Sequence, residues 1–304
     1  MSVLEMFGHE KKKVHQIIDF AGIAFPTYFG AIRNDEKLTD EESQFNYWRY
    51  LMLSTIADIK NRYKSDNIFI CAEGGSWRSD EFEYYKAKRK EKRLENPEEL
   101  EGLFKHMDLF LEELRDVFKF NILSVKKCEG DDGIAFCVHE LPKEDIKVVC
   151  SADKDMVQLL DVENTIFYNT RNRCETLCDN PQVALQKLIM MGDTSDGIPN
   201  MKSDGDTFII KGKRQKACGE KAVAKILIEG LDKVLLENAM WRKNYRRNEK
   251  LITLDEKNIP VKIWQAMKEQ FEAFEYKSAN AIKIGGYLTE RNLLGLMDRI
   301  NSFV

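Results

Sequence analysis

Four short apolar runs in the first half of the chain each end in carboxylates. Residues 14–20 (VHQIIDF) end on Asp19. Residues 67–72 (NIFICA) lead to Glu73. Residues 120–125 lead to Glu129, Asp131 and Asp132. Residues 146–150 (IKVVC) lead to Asp153 and Asp155. Runs this short and this apolar predict buried strands. Residues 165–168 predict a fifth. Between them lie helical patterns. Thr39 or Asp40 can cap a helix with Phe45, Trp48, Met52, Ile56, Ile59 and Tyr63 on one face. Pro97 opens another, with Leu100, Leu103, Phe104, Met107, Leu111, Leu114 and Phe118 on one face. Residues 131–140 and 155–160 predict short helices. Strands alternating with helices predict an α/β fold with a mostly parallel sheet. After Pro181 helical segments dominate, joined by basic loops.

In an open parallel sheet the carboxyl ends of the strands share one edge, and ligands bind there. Seven acids therefore converge on one rim. Asp193 and Asp196, in GDTSDGIP, can join from the next segment. Any one Asp after a strand can also be a helix cap or turn former; four strand ends carrying acids point further. Crowded carboxylates raise one another's pKa. Divalent cations relieve that, and hard cations such as magnesium take oxygen ligands and keep several waters. Two such ions about 4 Å apart serve phosphoryl chemistry. None of the four histidines (9, 15, 106 and 139) sits with the acids at the strand ends, which argues against a zinc site or a Ser-His-Asp triad there.

Charge distribution points the same way. The 304-residue chain has a net charge of −4, yet it is net positive without the nine candidate acids. Residues 76–93 hold seven Lys/Arg, 200–225 seven and 241–250 five. A negative pit in positive surroundings suits an enzyme that holds phosphates and cuts one; solvated helix faces are the plainer reading of any one run. In 216–225 (KACGEKAVAK), Gly219 can relieve a turn before a helix whose N–H groups hold a phosphate, with Lys221 and Lys225 on one face. An ordinary turn into a surface helix reads equally well. Seven cysteines without a zinc-site pattern predict free thiols in a reducing cytosol. No run of 18 apolar residues predicts a membrane span, and residues 1–13 do not read as a secretory signal.

Taken in order, IIDF (17–20), EGDD (129–132), SADKD (151–155) and GDTSDGIP (192–199) resemble the acidic motifs of the structure-specific 5′-nuclease family. WRSDEFEYYKAKR (77–89) and RRNEKLITLDEKNIP (246–260) extend the likeness to its phage RNase H branch. The resemblance implies a PIN-like nuclease domain over 1–185, with a helical arch at about 79–120. It implies a helical DNA-binding domain over 186–304, with a helix-three-turn-helix module at roughly 186–230. It implies a 5′-3′ exonuclease and flap endonuclease that removes RNA primers and 5′ flaps in lagging-strand replication and leaves 5′-phosphates. Two or more Mg2+ ions, replaceable by Mn2+, would be held first by Asp19, Glu129, Asp131, Asp153 and Asp155; Asp132, Asp193 and Asp196 would complete or support a second site, and Glu73 is the match to the family's ligand after strand two.

By the same resemblance Lys86 and Arg89 match the basic pair of the arch and steer the scissile phosphate. Arg78 matches the arginine before the arch. Tyr84 or Tyr85 stacks on a base, or else packs within its helix. Lys213, Arg214, Lys216, Gly219, Lys221 and Lys225 belong to the DNA-binding stretch. The partners implied are flapped, nicked or RNA-primed duplex, with a phage single-strand-binding protein or sliding clamp; the enzyme is expected to be a monomer in the host cytoplasm. Three departures stand out: Glu73 replaces the family Asp before a shortened loop, Gly130 replaces Ala, and 202–216 is inserted before the module's turn. Glu73 raises the alternative of a structure-specific DNA-binding protein with weakened catalysis. A phosphatase of the haloacid dehalogenase class would need a second Asp shortly after Asp19, where the sequence reads Asp19-Phe20-Ala21.

Overall fold

Ile17 and Ile18 are fully buried at the middle of a sheet, and every other element is placed by how it covers that sheet. The computed structural model describes residues 12–33, 35–38, 40–93 and 97–304. The N-terminal segment through residue 11, Thr39 and part of the expected arch (94–96) lie outside the described residues.

Strand β1 (Val14–Asp19) gives way at Phe20 to α1 (Phe20–Thr27), whose internal Pro26 is followed by a π-helical turn (Tyr28–Ile32). Helix α2 (Glu41–Tyr63) starts at Asp40, which accepts from the Ser43 amide at 2.8 Å, and stops at left-handed Lys64. Then come β2 (Asn67–Cys71), α3 (Arg78–Glu81), α4 (Ala87–Arg93), α5 (Pro97–Asp116), β3 (Asn121–Leu123), α6 (Gly130–Glu140) and β4 (Ile146–Ser151). A 3₁₀ helix (Lys154–Asp161) precedes β5 (Thr165–Asn169) and β6 (Cys174–Thr176). Helices α7 (Pro181–Met191), α8 (Glu220–Glu229), α9 (Leu231–Glu237), α10 (Ala239–Ile252), α11 (Val261–Glu272) and α12 (Ala281–Glu290) follow, and a 3₁₀ helix (Leu294–Ser302) closes the described chain.

The sheet order is β3-β2-β1-β4-β5-β6, parallel except for β6. The mostly parallel α/β architecture agrees with the strand pattern. Three details differ from expectation. Strand β3 is shorter than 120–125, the segment after Asp153 is 3₁₀ rather than α, and β6 carried no apolar signal because its residues are largely exposed.

One sheet face is covered by α1, α2, α5, α12 and the closing 3₁₀ helix, around Trp48, Phe110, Phe118, Leu288 and Phe303. The other is covered by α6, the first 3₁₀ helix and α11, around Phe69, Phe136, Trp264 and Met267. A third core joins α7, α8, α9 and α10 with Tyr85 and Ile198. Complete burial of each large side chain contributes about 1.5–3 kcal/mol. Helices beyond residue 186 thus divide among all three cores. Helix α5 is amphipathic and lies on the sheet by its Leu103, Met107, Phe110 and Leu114 face. All seven cysteines are free, and among the described residues no helix is long and apolar enough to cross a membrane.

Candidate active site

The acids do meet at the carboxyl edge of the sheet, and local geometry explains how each is held. Asp19 caps α1, accepting from the Gly22 amide at 2.7 Å and from Ser151 Oγ, at the end of β4, at 2.6 Å. A Cβ at Gly22 would stand 2.1 Å from the Asp19 carboxylate, so this close approach requires glycine. Asp153 caps the first 3₁₀ helix through the Asp155 amide at 2.9 Å. Asp193 is buried and accepts from both the amide and the hydroxyl of Ser195, at 2.6 and 2.7 Å. Glu129 caps α6 and is 3% exposed.

Burial raises Asp19, and Asp153 adds to it. Burial, then Asp19 and Asp153, holds Asp131 well above the usual carboxylate range. Burial pushes Asp155 up to about 8, with Asp153 and Asp193 contributing. Glu73 stands at the exposed rim of the pit; desolvation pushes it up to about 7, against Lys86 and with Glu129 and Asp19. Burial also raises Asp196, although Lys86 and Arg89 oppose it. Two acids go the other way. In Glu129 the effect of burial is outweighed by Lys86 and Arg78, and in Asp193 by the Ser195 bonds.

The basic pair stands over these acids. Lys86 pairs with Glu129 and lies 3.6 Å from Asp196; Arg89 lies 2.7 Å from Asp196. Lys86 has φ 52°, a left-handed conformation that a lysine adopts only where its surroundings hold it. Its amide donates to the Asp196 carbonyl at 2.8 Å. At Gly197 (φ 74°) a Cβ would be 2.8 Å from the Tyr84 carbonyl oxygen. The 193–198 turn therefore fits the start of α4 by close backbone contact.

Three assignments change. Asp132 is fully buried and both its oxygens are taken. Oδ1 accepts from Arg78 at 2.7 Å, and Oδ2 from Arg78, Trp77 and the Glu129 amide at 3.0, 3.0 and 3.1 Å. With four donors on its two oxygens it anchors the first turn of α6 and is left out of the metal-ligand set. Arg78 is 2% exposed and held by Glu129, Asp132 and the Leu251 carbonyl, so it cannot meet DNA. Tyr85 is equally buried; its hydroxyl lies 2.9 Å from both Glu129 and Asp196, so the packing reading holds and stacking on a base does not. Tyr84 is half-buried, edge-on to Phe82.

The DNA-binding stretch is divided. Lys213 is engaged by Asp204 and Asp206, whereas Arg214, Lys216, Lys221 and Lys225 are exposed. Gly219 caps α8 at an ordinary φ of −83° with open space around it, so the turn does not require glycine there. Sequence reasoning missed Gln158, Asn244, Asn248 and Arg247, which tie loops to α10. The signal available was polar residues four apart (Asn244, Asn248) inside a helix read only for its charge.

The donor set suits a hard divalent cation. It is all oxygen, most of its acids are raised by burial and crowding, and Asp155 Oδ1 is buried without a hydrogen-bond partner. Among the described residues no three of these side chains stand close enough together to hold an ion unaided. A cation that retains waters bridges such spacing.

The chain is similar in sequence and fold to known proteins. A family profile described as "5′-3′ exonuclease, N-terminal resolvase-like domain" matches residues 15–187, and one described as "T4 RNase H, C terminal" matches 179–303. Ribonuclease H of Enterobacteria phage T4 is 25% identical over 315 residues, covering all of both chains. A 5′-3′ exonuclease of Mycoplasmopsis pulmonis is 26% identical, covering 73% of this chain and 76% of its own. A zinc-bound T5 5′-exonuclease superposes with a TM-score of 0.63 at 17% identity, over 86% of this chain and all of the other. A T5 flap endonuclease in a pseudo-enzyme-product complex with DNA and metal ions gives 0.61 at 18%, over 86% of this chain and 98% of the other. With an acidic pit at the sheet edge, a basic pair over it and a profile match across more than half its length, the chain belongs to the 5′-3′ exonuclease family.

Proposed function

We propose that this metal-dependent phage 5′ nuclease acts as a 5′-3′ exonuclease and flap endonuclease with RNase H activity, clearing RNA primers and 5′ flaps during lagging-strand replication. The observation that carries the reading is the meeting of acids from four strand ends beneath Lys86 and Arg89. Asp19, Glu129, Asp131, Asp153 and Asp155 would hold one Mg2+ ion, directly or through water; Glu73, Asp193 and Asp196 would hold a second, with Mn2+ able to substitute. Bound there, the ions would lower the pKa of a water and stabilise charge on the leaving oxygen. Lys86 and Arg89 would exchange their contacts with Glu129 and Asp196 for the scissile phosphate and orient it. The bond broken would be P–O3′, so the released fragment would end in a 3′-hydroxyl and the shortened duplex strand would keep a new 5′-phosphate.

Residues 1–185 would form the nuclease domain, with α4 and α5 in the arch segment. Residues 186–304 would hold the downstream duplex, with exposed Arg214, Lys216, Lys221 and Lys225 on its phosphates. The family likeness supports a single-strand-binding protein or sliding clamp as partner, and a monomer in the host cytoplasm. The test is cleavage of a 5′-labelled RNA-primed or flapped duplex with Mg2+, with EDTA, and with Asp153→Asn. Metal-dependent short 5′ products, lost in the variant, are expected. Binding without cutting, in Mg2+ or Mn2+, would overturn the nuclease reading.

A further inference from the structure

The last four carbonyls of an α-helix have no partner within the helix. In α10 two of them are claimed by side chains beside the acidic pit. Arg78 Nε donates to the Leu251 carbonyl at 2.7 Å while its other nitrogens hold Glu129 and Asp132. Gln158 Nε2 donates to the Ile252 carbonyl at 3.2 Å and to the Asp155 carbonyl at 3.0 Å; its oxygen accepts from the Leu254 amide at 2.9 Å. One turn earlier, fully buried Asn248 donates to the carbonyls of Ile189 and Pro199, both at 2.9 Å. Arg247 also donates to Pro199, at 2.9 Å. Pro199 directly follows the 193–198 turn.

These ties reach three different acid-bearing segments. Arg78 fixes the start of α6, with Glu129. Gln158 fixes the 3₁₀ helix, with Asp155. Asn248 fixes the turn that carries Asp193 and Asp196. The three segments come from distant parts of the chain, and the same end of α10 is bonded to each. The bonds of Arg78, Gln158 and Asn248 at the end of α10 are buried, so water does not replace a lost partner cheaply.

We propose that α10 is the positioning element of the site: through Arg78, Gln158 and Asn248 it sets the spacing of the acids that hold the metal ions. None of the three touches substrate; each acts through an acid-bearing segment. The inference rests on the nuclease reading for its turnover readout, but not for its metal-binding readout.

The experiment uses the full chain with Gln158→Leu and, separately, Asn248→Ser. Each is assayed on RNA-primed duplex at a temperature where near-ultraviolet circular dichroism shows it folded. Mn2+ binding is followed by calorimetry, and DNA affinity is measured in EDTA. A small displacement of catalytic groups costs about 10- to 100-fold in rate. A kcat loss of that size is expected, with weaker Mn2+ binding, a higher half-saturating Mg2+ concentration and DNA affinity in EDTA within twofold of the parent. Folded variants with parental kcat and Mn2+ affinity would overturn the proposal. So would an equal loss of DNA affinity and of kcat/KM, or failure of both variants to fold, since either assigns the ties another role. If the parent itself does not cut while the variants still lose Mn2+ affinity, the nuclease reading falls and this one stands.

Discussion

Lys86 and Asp196 are joined twice: the Lys86 amide donates to the Asp196 carbonyl at 2.8 Å, and its ammonium lies 3.6 Å from the Asp196 carboxylate. The base of α4 and the 193–198 turn therefore form one unit, and the charge that would meet a phosphate is held over an acid. Burial alone would lower the Lys86 pKa; Asp196 and Glu129 outweigh it and raise it, so the ammonium stays charged. Lys86→Ala is expected to lower kcat about 100- to 1,000-fold, the usual cost of one lost charge-stabilising donor. Arg89→Ala, more exposed, should cost less and show more of its effect in KM. Steady-state kinetics on a flapped duplex checks both.

Gly197 sets how closely that turn approaches. Gly197→Ala would put a methyl 2.8 Å from the Tyr84 carbonyl at a φ of 74°. The strain is expected to cost roughly 1–3 kcal/mol, and relief by moving the turn would carry Asp196 away from Lys86. Urea unfolding and kcat should both respond. A stability loss with unchanged kcat would show that the turn relaxes elsewhere.

Arg78 is a buried cation between two buried carboxylates. Arg78→Met leaves both acids short of their partner, and removing one member of a buried pair costs roughly 3–5 kcal/mol. The midpoint of urea unfolding should fall accordingly. Affinity for DNA in EDTA should be unchanged wherever the variant remains folded, because the guanidinium is sealed from solvent.

The raised acids make stability depend on pH in a definite direction. Asp155 rises from 3.8 to about 8 and Glu73 from 4.5 to about 7; Asp19, Asp131 and Asp196 are also raised. Between the unfolded and folded values the folded state binds more protons than the unfolded one. Stability from these groups is full below about pH 4 and is lost as pH rises toward about 8. Glu129 and Asp193, which are lowered, oppose this only at acid pH. In EDTA the melting temperature should therefore fall from pH 5.5 to pH 8. Mg2+ should restore it most at pH 8, with protons released on binding. A melting temperature that rises with pH in EDTA would contradict the crowded pit.

The strands and most of the pit were legible because burial and periodicity are local properties. IIDF, NIFIC and IKVVC are too apolar and too short for anything but central strands, and an acid after a parallel strand must lie at the ligand edge. Strand β6 was not legible, since an exposed edge strand is stabilised by its neighbour's backbone rather than by its own apolar pattern. Spacing in the motifs also said nothing of which charge is free. Asp131 and Asp132 are adjacent in the chain, yet they turn to different environments on the first turn of α6.

Sequence alone determined the alternation of elements and the acidic strand ends, because each follows from residue type and short-range order; the basic pair came from the likeness of its motif. Only tertiary structure decided that Arg78 and Tyr85 are sealed against Glu129, that Lys213 is spent on Asp204 and Asp206, and that α10 holds three distant acidic segments. Those outcomes depend on which donors find which acceptors, at separations from seven residues (Lys213 to Asp206) to 173 (Arg78 to Leu251). A buried polar group must be partnered, but its own neighbourhood in sequence does not name the partner.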